Sequence, residues 1–530
     1  MLRVLCIMLF IPLFSEGETY YKLYVQDDGL YKVSGTELQN AGIDIGQLNP
    51  SNIQLFSDGQ RMLPWSTTES TPQLNEVAIR IVDGGDGQFN ENDYLLFYGE
   101  AQGRFVWNDG ENDFVWISNP YDKRSCYWLL PDGQTGKRIE TIDATPVSGT
   151  LRETYTDYLH LEEDHFNPMK SGYDWSWNLF RGPTDLFELN FDLPILSPLL
   201  CSLRVRSKRF ELYYYPTNTS ERVNLYINGQ FIGLFALGEF TYQNILTLGS
   251  NNTFRMEYIG SDSLPRSGLD YLEIHNPRET ALSQDVKRLY FEPSTGNNQI
   301  RYRGAAVGDI LILDVTDPYS TVELISASST LFEEFATGEE RVYWLNREGV
   351  YRAISSFEPA RRGLVVSNSA DYFAVVSEAM EAQVQPLLMH RQSHNGFATL
   401  SITMEDIYNE FGFGRKDPTA LRNAIKWISE NWTPGPRFIL LAGSGYYDYR
   451  NISGEYPDNW IPTFQISGDN DFVSREVDDY YTDLSFNGNL NFIEAEIAIG
   501  RLPADTPAEL AVLVQKTIDA EVHFEPGLWR

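Results

Sequence analysis

The chain has 530 residues, more than one ordinary domain needs, and its 42% hydrophobic content supplies material for several packed cores. Its 74 acidic residues against 41 basic ones give a formal charge of −33, which argues against nucleic acid as a partner because no basic surplus exists to neutralise phosphates. Aromatic residues at 14% argue against disorder and favour strands over helices, so the acidity is read as solubility.

The chain starts with a short positive segment, Met1-Leu2-Arg3, then an apolar run over residues 4–14 and small residues at Ser15 and Gly17. Residues 1–17 therefore read as a signal peptide, and the mature chain as an exported protein. The apolar run is shorter than the about 20 residues a bilayer requires. No later segment is long and apolar enough to cross a membrane. Cys6 leaves with the signal, so Cys126 and Cys201 either form a disulfide in an oxidising compartment or stay as two buried thiols.

Residues 18–146 read as a β-rich module. Residues 76–83 (EVAIRIVD) alternate, and 93–99 (DYLLFYG) and 126–131 (CYWLLP) are further strands. The loop between the first two, DGGDGQFNEND at 83–93, has the character of a calcium loop, with Asp83, Asp86 and Asp93 as candidate ligands. Against that, the first and third positions of an EF-hand frame fall on Val82 and Gly84, which offer no side-chain oxygen, and a tight acidic turn is the competing reading. Residues 150–300 read as a sandwich or jelly roll. Asn228-Gly229 sits between two alternating runs and predicts a tight hairpin. His160 and His165, in LHLEEDHFNP, are expected in a solvated acidic loop. Strands at 310–315 and 341–345 belong to a β-rich connector over 301–362.

From residue 363 to 530 short apolar strands alternate with amphipathic helices, the pattern of a doubly wound α/β domain. Strands are expected at 363–367, 397–402, 438–443 and 495–500, and helices around 372–391, 404–411, 418–431 and 507–524. The third helix is well specified. Asp417 suits the N-cap, Pro418 the first turn, and Leu421, Ala424, Ile425 and Ile428 share one face. His390 and His394 have metal-binding spacing but no third ligand nearby, and they read as helix-end residues. His523 reads as a surface residue.

Four stretches carry a resemblance in their order: 407–428 (IYNEFGFGRKDPTALRNAIKWI), 438–451 (FILLAGSGYYDYRN), 477–484 (VDDYYTDL) and 499–503 (IGRLP). Together they resemble the gingipain-type cysteine peptidase family. Upstream, residues 86–100, 268–279 and 313–318 resemble the β modules of PorU-type surface sortases of the type IX secretion system. The resemblance implies a multidomain protein, with N-terminal all-β modules followed by an incomplete caspase/gingipain-like α/β domain.

In that family a Cys–His dyad does the chemistry, both residues lying beyond the GRxP element and its helix. This sequence has no cysteine after Cys201 and reaches Arg530 in that helix, so it is expected to lack the dyad and to be inactive by itself. Ser444 stands where the family has the Asp of Gly-Asp-Gly. With Asp478 and Asp479 it is a candidate substrate-binding residue bordering the cleft. The implied partners are secreted cargo with C-terminal sorting domains and other secretion components, on the outer surface of a Gram-negative cell. No cofactor beyond calcium is expected. The competing reading is a non-catalytic surface-binding protein with a degenerate half peptidase domain.

Overall fold

A computed structural model describes residues 19–523 except 60, 183–184, 194–198, 210–220, 261–266, 281–285, 303–309, 335–337, 361–368 and 467–473. The expected signal peptide and the expected strand at 363–367 lie outside the described residues.

The N-terminal module contributes strand β1 (Tyr20–Val25), a hairpin of β2 (Arg104–Asn108) and β3 (Asp113–Ile117), and strand β4 (Ser125–Leu130). β1 pairs antiparallel with β4 on one side and with the late strand Ser356–Ala360 on the other. Successive strand residues point to opposite faces, and here both faces are buried. Tyr21, Leu23, Tyr127 and Leu129 enter the module's own core, whereas Tyr20, Tyr24, Cys126 and Trp128 enter the core of the α/β region. Two-sided burial explains why β4 reads as the continuous run SCYWLL rather than as an alternation.

Among the described residues the middle of the chain forms a nine-stranded sheet and a four-stranded sheet that share a core. Neighbours in the large sheet are β5 (Thr154–Glu162), β6 (Leu199–Arg209) and β7 (Ser267–Glu279), with β7 between the other two, and β8 (Val286–Phe291) beside β5. The turn Asn228-Gly229 has φ of 50° and 76°, the positive values a tight two-residue hairpin needs. The described strands within the expected connector over 301–362 pair with sheets formed by earlier parts of the chain. Ile310–Asp314, Val322–Ile325 and Arg341–Arg347 extend the nine-stranded sheet, and Ser356–Ala360 closes the N-terminal one. Pairing between strands so distant in sequence leaves no local pattern to read.

Among the described residues of the α/β region four parallel strands run in the order β10 (Thr399–Thr403), β9 (Tyr372–Val376), β11 (Phe438–Ala442), β12 (Ala498–Leu502). Helices α1 (Glu381–His390) and α4 (Pro507–Val522) pack together on one face. Helices α2 (Met404–Phe411) and α3 (Thr419–Asn431) cover the other, in the core shared with β1 and β4. The stretch 372–391, expected to be helical throughout, opens with β9. Phe373 and Val375 fill one core while Ala374 and Val376 fill the other, so the strand shows no period of two. Pro418 takes the N-cap position of α3, and Asp417 one residue earlier supports its entry: the carboxylate accepts the Thr419 N–H at 2.8 Å and the carbonyl the Ala420 N–H at 3.0 Å.

Candidate functional site

Open parallel sheets bind ligands beyond the carboxyl ends of their strands, where the strand order reverses. Here the order reverses around β9, and the chain leaves β11 through Gly443-Ser444-Gly445. Close approach demands the last glycine, since a Cβ on Gly445 would lie 2.2 Å from the Ile461 carbonyl oxygen and 2.7 Å from the Thr463 nitrogen. Ser444 is pinned between, its N–H donating to the Ala504 carbonyl at 2.9 Å and its carbonyl accepting from the Ile461 N–H at 3.1 Å.

Three of the family-like stretches converge on the backbone of residues 461–463. Arg501, on β12, donates to the carbonyls of Ile461 (2.7 Å), Pro462 (3.2 Å) and Gly443 (2.9 Å), and holds Asp478 through two bonds of 2.8 and 2.6 Å. The Tyr481 hydroxyl donates to the Pro462 carbonyl at 2.6 Å, and the Tyr449 hydroxyl to that of Thr463 at 2.7 Å. Tyr480 stacks on Phe464 with ring centroids 3.5 Å apart, and its hydroxyl lies 3.1 Å from that of Thr419 at the start of α3. Asp448 closes its own turn by accepting the N–H groups of Ile452 and Ser453, both at 2.8 Å. The sandwich module reaches the same loops through Asp164, paired with Arg450 at 2.5 Å, and the Met169 carbonyl, which accepts the Ser474 N–H at 2.9 Å.

These loops frame a pocket of about 480 Å³ whose lining includes Ser444, Tyr446, Glu476, Asp478, Arg501 and Asp505. The charged lining is mainly acidic, with Arg501 committed to Asp478. The Tyr446 hydroxyl donates to Asp505 at 2.5 Å, and burial together with that bond pushes its pKa up to about 12. Of the predicted substrate-binding residues, Ser444 and Asp478 meet in this pocket, whereas Asp479 is exposed outside its lining. Arg501 and residues 461–464 were not anticipated. The arginine of GRLP was visible as a motif residue, but the carbonyls it serves carry no residue-type signal.

The remaining predicted groups lie elsewhere, and among the described residues no histidine or cysteine lines the pocket. Cys126 is buried in the α/β core, where burial pushes its thiol up to about 12, and Cys201 is buried in the sandwich core, so the two are not disulfide partners. His390 bonds to Glu521 at 2.9 Å and stacks on His394, and His165 and His523 are exposed. His160 is not in a solvated loop. It lies on β5 with its side chain only 3% exposed, because the hairpin β2–β3 covers it. Asp83, Asp86 and Asp93 each accept a backbone N–H of their own loop, from Gly85, Gln88 and Asn90. Among the described residues no group of three or more His, Cys, Asp or Glu side chains is arranged to hold a metal ion.

The stretch containing DPTALR serves as a docking surface. Arg415 and Asp58, both fully buried, share two bonds of 2.5 Å, and Asp417 accepts the Leu63 N–H at 3.0 Å. Arg422 donates to the carbonyls of Trp65 (2.6 Å) and Pro64 (3.0 Å), with its guanidinium 5.3 Å above the Tyr480 ring. Tyr24 and Trp128 donate to the carbonyls of Gly414 and Phe413 at 2.7 and 3.1 Å. At Gly414 (φ +87°) a Cβ would lie 2.4 Å from the Cys126 sulfur.

Residues 366–530 match the sequence profile of peptidase family C25. The whole chain resembles the crystal structure of dimeric latent PorU from Porphyromonas gingivalis, with a TM-score of 0.77 at 18% identity. That match covers 95% of this chain and 49% of PorU, so the chain spans about half the length of that protein. A CBM36-1 domain of a xylanase from the hindgut metagenome of Trinervitermes trinervoides (19% identity, 22% of this chain, 95% of that one) reaches a TM-score of only 0.16. A family 35 carbohydrate-binding module from Clostridium thermocellum (13% identity, 22% of this chain, 90% of that one) reaches 0.14. Neither bears on the fold. No curated protein matches the sequence.

Proposed function

Proceeding from a chain with the fold of PorU, whose residues 366–530 match peptidase family C25, we propose that it forms the β-rich front and the first half of the peptidase domain of an exported cysteine endopeptidase of the sortase type. In this reading it acts at the outer surface of a Gram-negative cell, removing C-terminal sorting domains from secreted cargo. The observation that carries the reading is the convergence of the GSGYYDYR, DDYY and GRLP stretches on residues 461–463, beside a pocket at the strand ends. In the proposal Ser444 and Asp478 contact the substrate chain and Asp479 lies at the approach to the cleft.

Chemistry of this class needs a thiolate to attack the scissile carbonyl and an imidazole to protonate the leaving amine, after which water or an acceptor amine releases the acyl group. The sequence carries no cysteine beyond Cys201. The proposal therefore assigns the dyad to sequence downstream of α4 in the full protein, and the chain by itself is inactive. Support comes from the coverage of half of PorU and from β12, the edge strand of its sheet among the described residues.

The decisive experiment reads the coding frame beyond the Arg530 codon. A continuing frame with a Gly-His-Gly turn, followed by a cysteine after an apolar strand, supports the reading, and cleavage of a sorting-domain substrate by that longer product, lost on Cys→Ala, completes it. A stop directly after Arg530 refutes it. The exposed Phe231, Leu234 and Ile245 at the sandwich edge then favour the second reading, a non-catalytic surface-binding protein.

A further inference from the structure

The outward face of the sandwich sheet is patterned like a solvent-facing surface, yet Glu273 and His275 on it are buried and Tyr158, His160, Glu162, Arg204 and Tyr271 are at least half-buried. Along β5, Tyr158, His160 and Glu162 alternate with Leu159 and Leu161. Along β7, Tyr271, Glu273 and His275 alternate with Leu272 and Ile274, and along β6 Arg204 alternates with Leu203 and Val205. The apolar set faces the sandwich core. The polar set is covered by the hairpin β2–β3, which among the described residues forms a two-stranded sheet of its own. Phe105 and Phe114 anchor it against Tyr158 and Tyr290, and Trp116 stacks on His160 with centroids 4.1 Å apart.

Ionisable groups from every element meet beneath this hairpin. His160 lies 2.9 Å from Glu273 and 3.0 Å from Glu162, and His275 lies 3.4 Å from Glu273 and 3.5 Å from Asp113 of β3. Asp113 also accepts from the Tyr158 hydroxyl at 3.0 Å. Arg204 reaches Glu273 at 3.8 Å and Glu111 of the hairpin turn at 3.4 Å, while Arg206 pairs with Asp270 at the rim and Glu239 lies close to Tyr271.

We propose that the hairpin β2–β3 is a pH-sensitive latch between the N-terminal module and the sandwich sheet, closed while His160 and His275 are charged and loosened as they lose that charge.

With both imidazoles protonated, Asp113, Glu162 and Glu273 each have a cationic partner. With both neutral, Arg204 still reaches Glu273 and Glu111, while Asp113 and Glu162 lose their imidazolium partners. Burial opposes charge on the two histidines, but bonds to Glu162, Glu273 and Asp113 outweigh it and lift both above the ordinary 6.5. Burial likewise opposes charge on Glu273, and the two histidines nonetheless hold it down at about 2. Burial keeps Tyr158, Tyr271 and Tyr290 neutral throughout the relevant range. Groups whose pKa rises on folding stabilise fully below the unfolded value and lose that contribution as pH climbs through the folded one. The latch therefore opens on the alkaline side of 6.5.

Hydrogen exchange of the full chain at pH 6 and pH 9, corrected for intrinsic rates, tests this. Amides of residues 104–117 are expected to lose protection by roughly tenfold relative to those of β7, the factor expected of one charge-assisted hydrogen bond. In His275→Gln the pH-dependent difference shrinks. Equal changes in hairpin and β7, or none, overturn the proposal. Should His275→Gln fail to fold, the imidazole resonances of the parent decide: titration of His160 and His275 above 6.5 supports the latch, and titration at or below it refutes it.

Discussion

Asp58→Ala is the sharpest test of how the two halves of the chain are joined. The carboxylate and the Arg415 guanidinium are both fully buried and share two bonds of 2.5 Å, with a further Arg415 bond of 2.9 Å to the Arg61 carbonyl. Removing the carboxylate takes the bidentate partner from a buried cation, a change that costs about 3–5 kcal/mol. The pair itself contributes far less, because desolvation offsets most of its attraction. The double variant Asp58→Leu/Arg415→Met is therefore expected within about 2 kcal/mol of the parent. Urea unfolding followed by tryptophan fluorescence reads both, since Trp128 and Trp432 are buried in the α/β core. A loss below about 1 kcal/mol in Asp58→Ala, or a double variant as unstable as the single one, would refute the reasoning.

Arg501→Lys keeps the charge but cannot serve Asp478 and three carbonyls at once, so amide exchange over residues 461–464 is expected to rise roughly tenfold while β1 stays protected. Unchanged exchange there counts against the convergence of the motifs. Neither Cys126 nor Cys201 is expected to react with a thiol reagent in the native protein at pH 8, since both are buried and burial raises both pKa values. Both should react in denaturant, and a disulfide would show as missing thiols. Because Asp83, Asp86 and Asp93 are each committed to a turn of their own loop, calcium titration by calorimetry should give a Kd no tighter than roughly millimolar. A micromolar site would mean the loop rearranges.

Amphipathic helices and turn residues were legible in the sequence. Met404–Phe411, Thr419–Asn431 and Pro507–Val522 have sharp caps or one-sided apolar faces, and Asn228-Gly229 announces its hairpin. Two-sided burial hid the rest. In Tyr372–Val376 both faces are apolar, so the period that separates strand from helix is lost. His160 carries the opposite ambiguity, a polar residue at an outward position that looks solvated until a distant hairpin lands on it. At the pocket, Ser444 and Asp478 could be found from motif position. Their arrangement could not, because Arg501 works through backbone carbonyls, and any sequence supplies those.

The sharing of β1 and β4 between two cores bears on the order in which the molecule can be built. During synthesis the first 146 residues emerge early, but the neighbour of β1, Ser356–Ala360, and the helices that cover the second face of the sheet come far later. At about 5–20 residues per second the interval is on the order of ten seconds or more. Throughout it the nascent front has an unsealed sheet edge and an aromatic face bearing Tyr20, Tyr24 and Trp128. The N-terminal module is thus first to be made and among the last to be finished, and its completion waits on the α/β region.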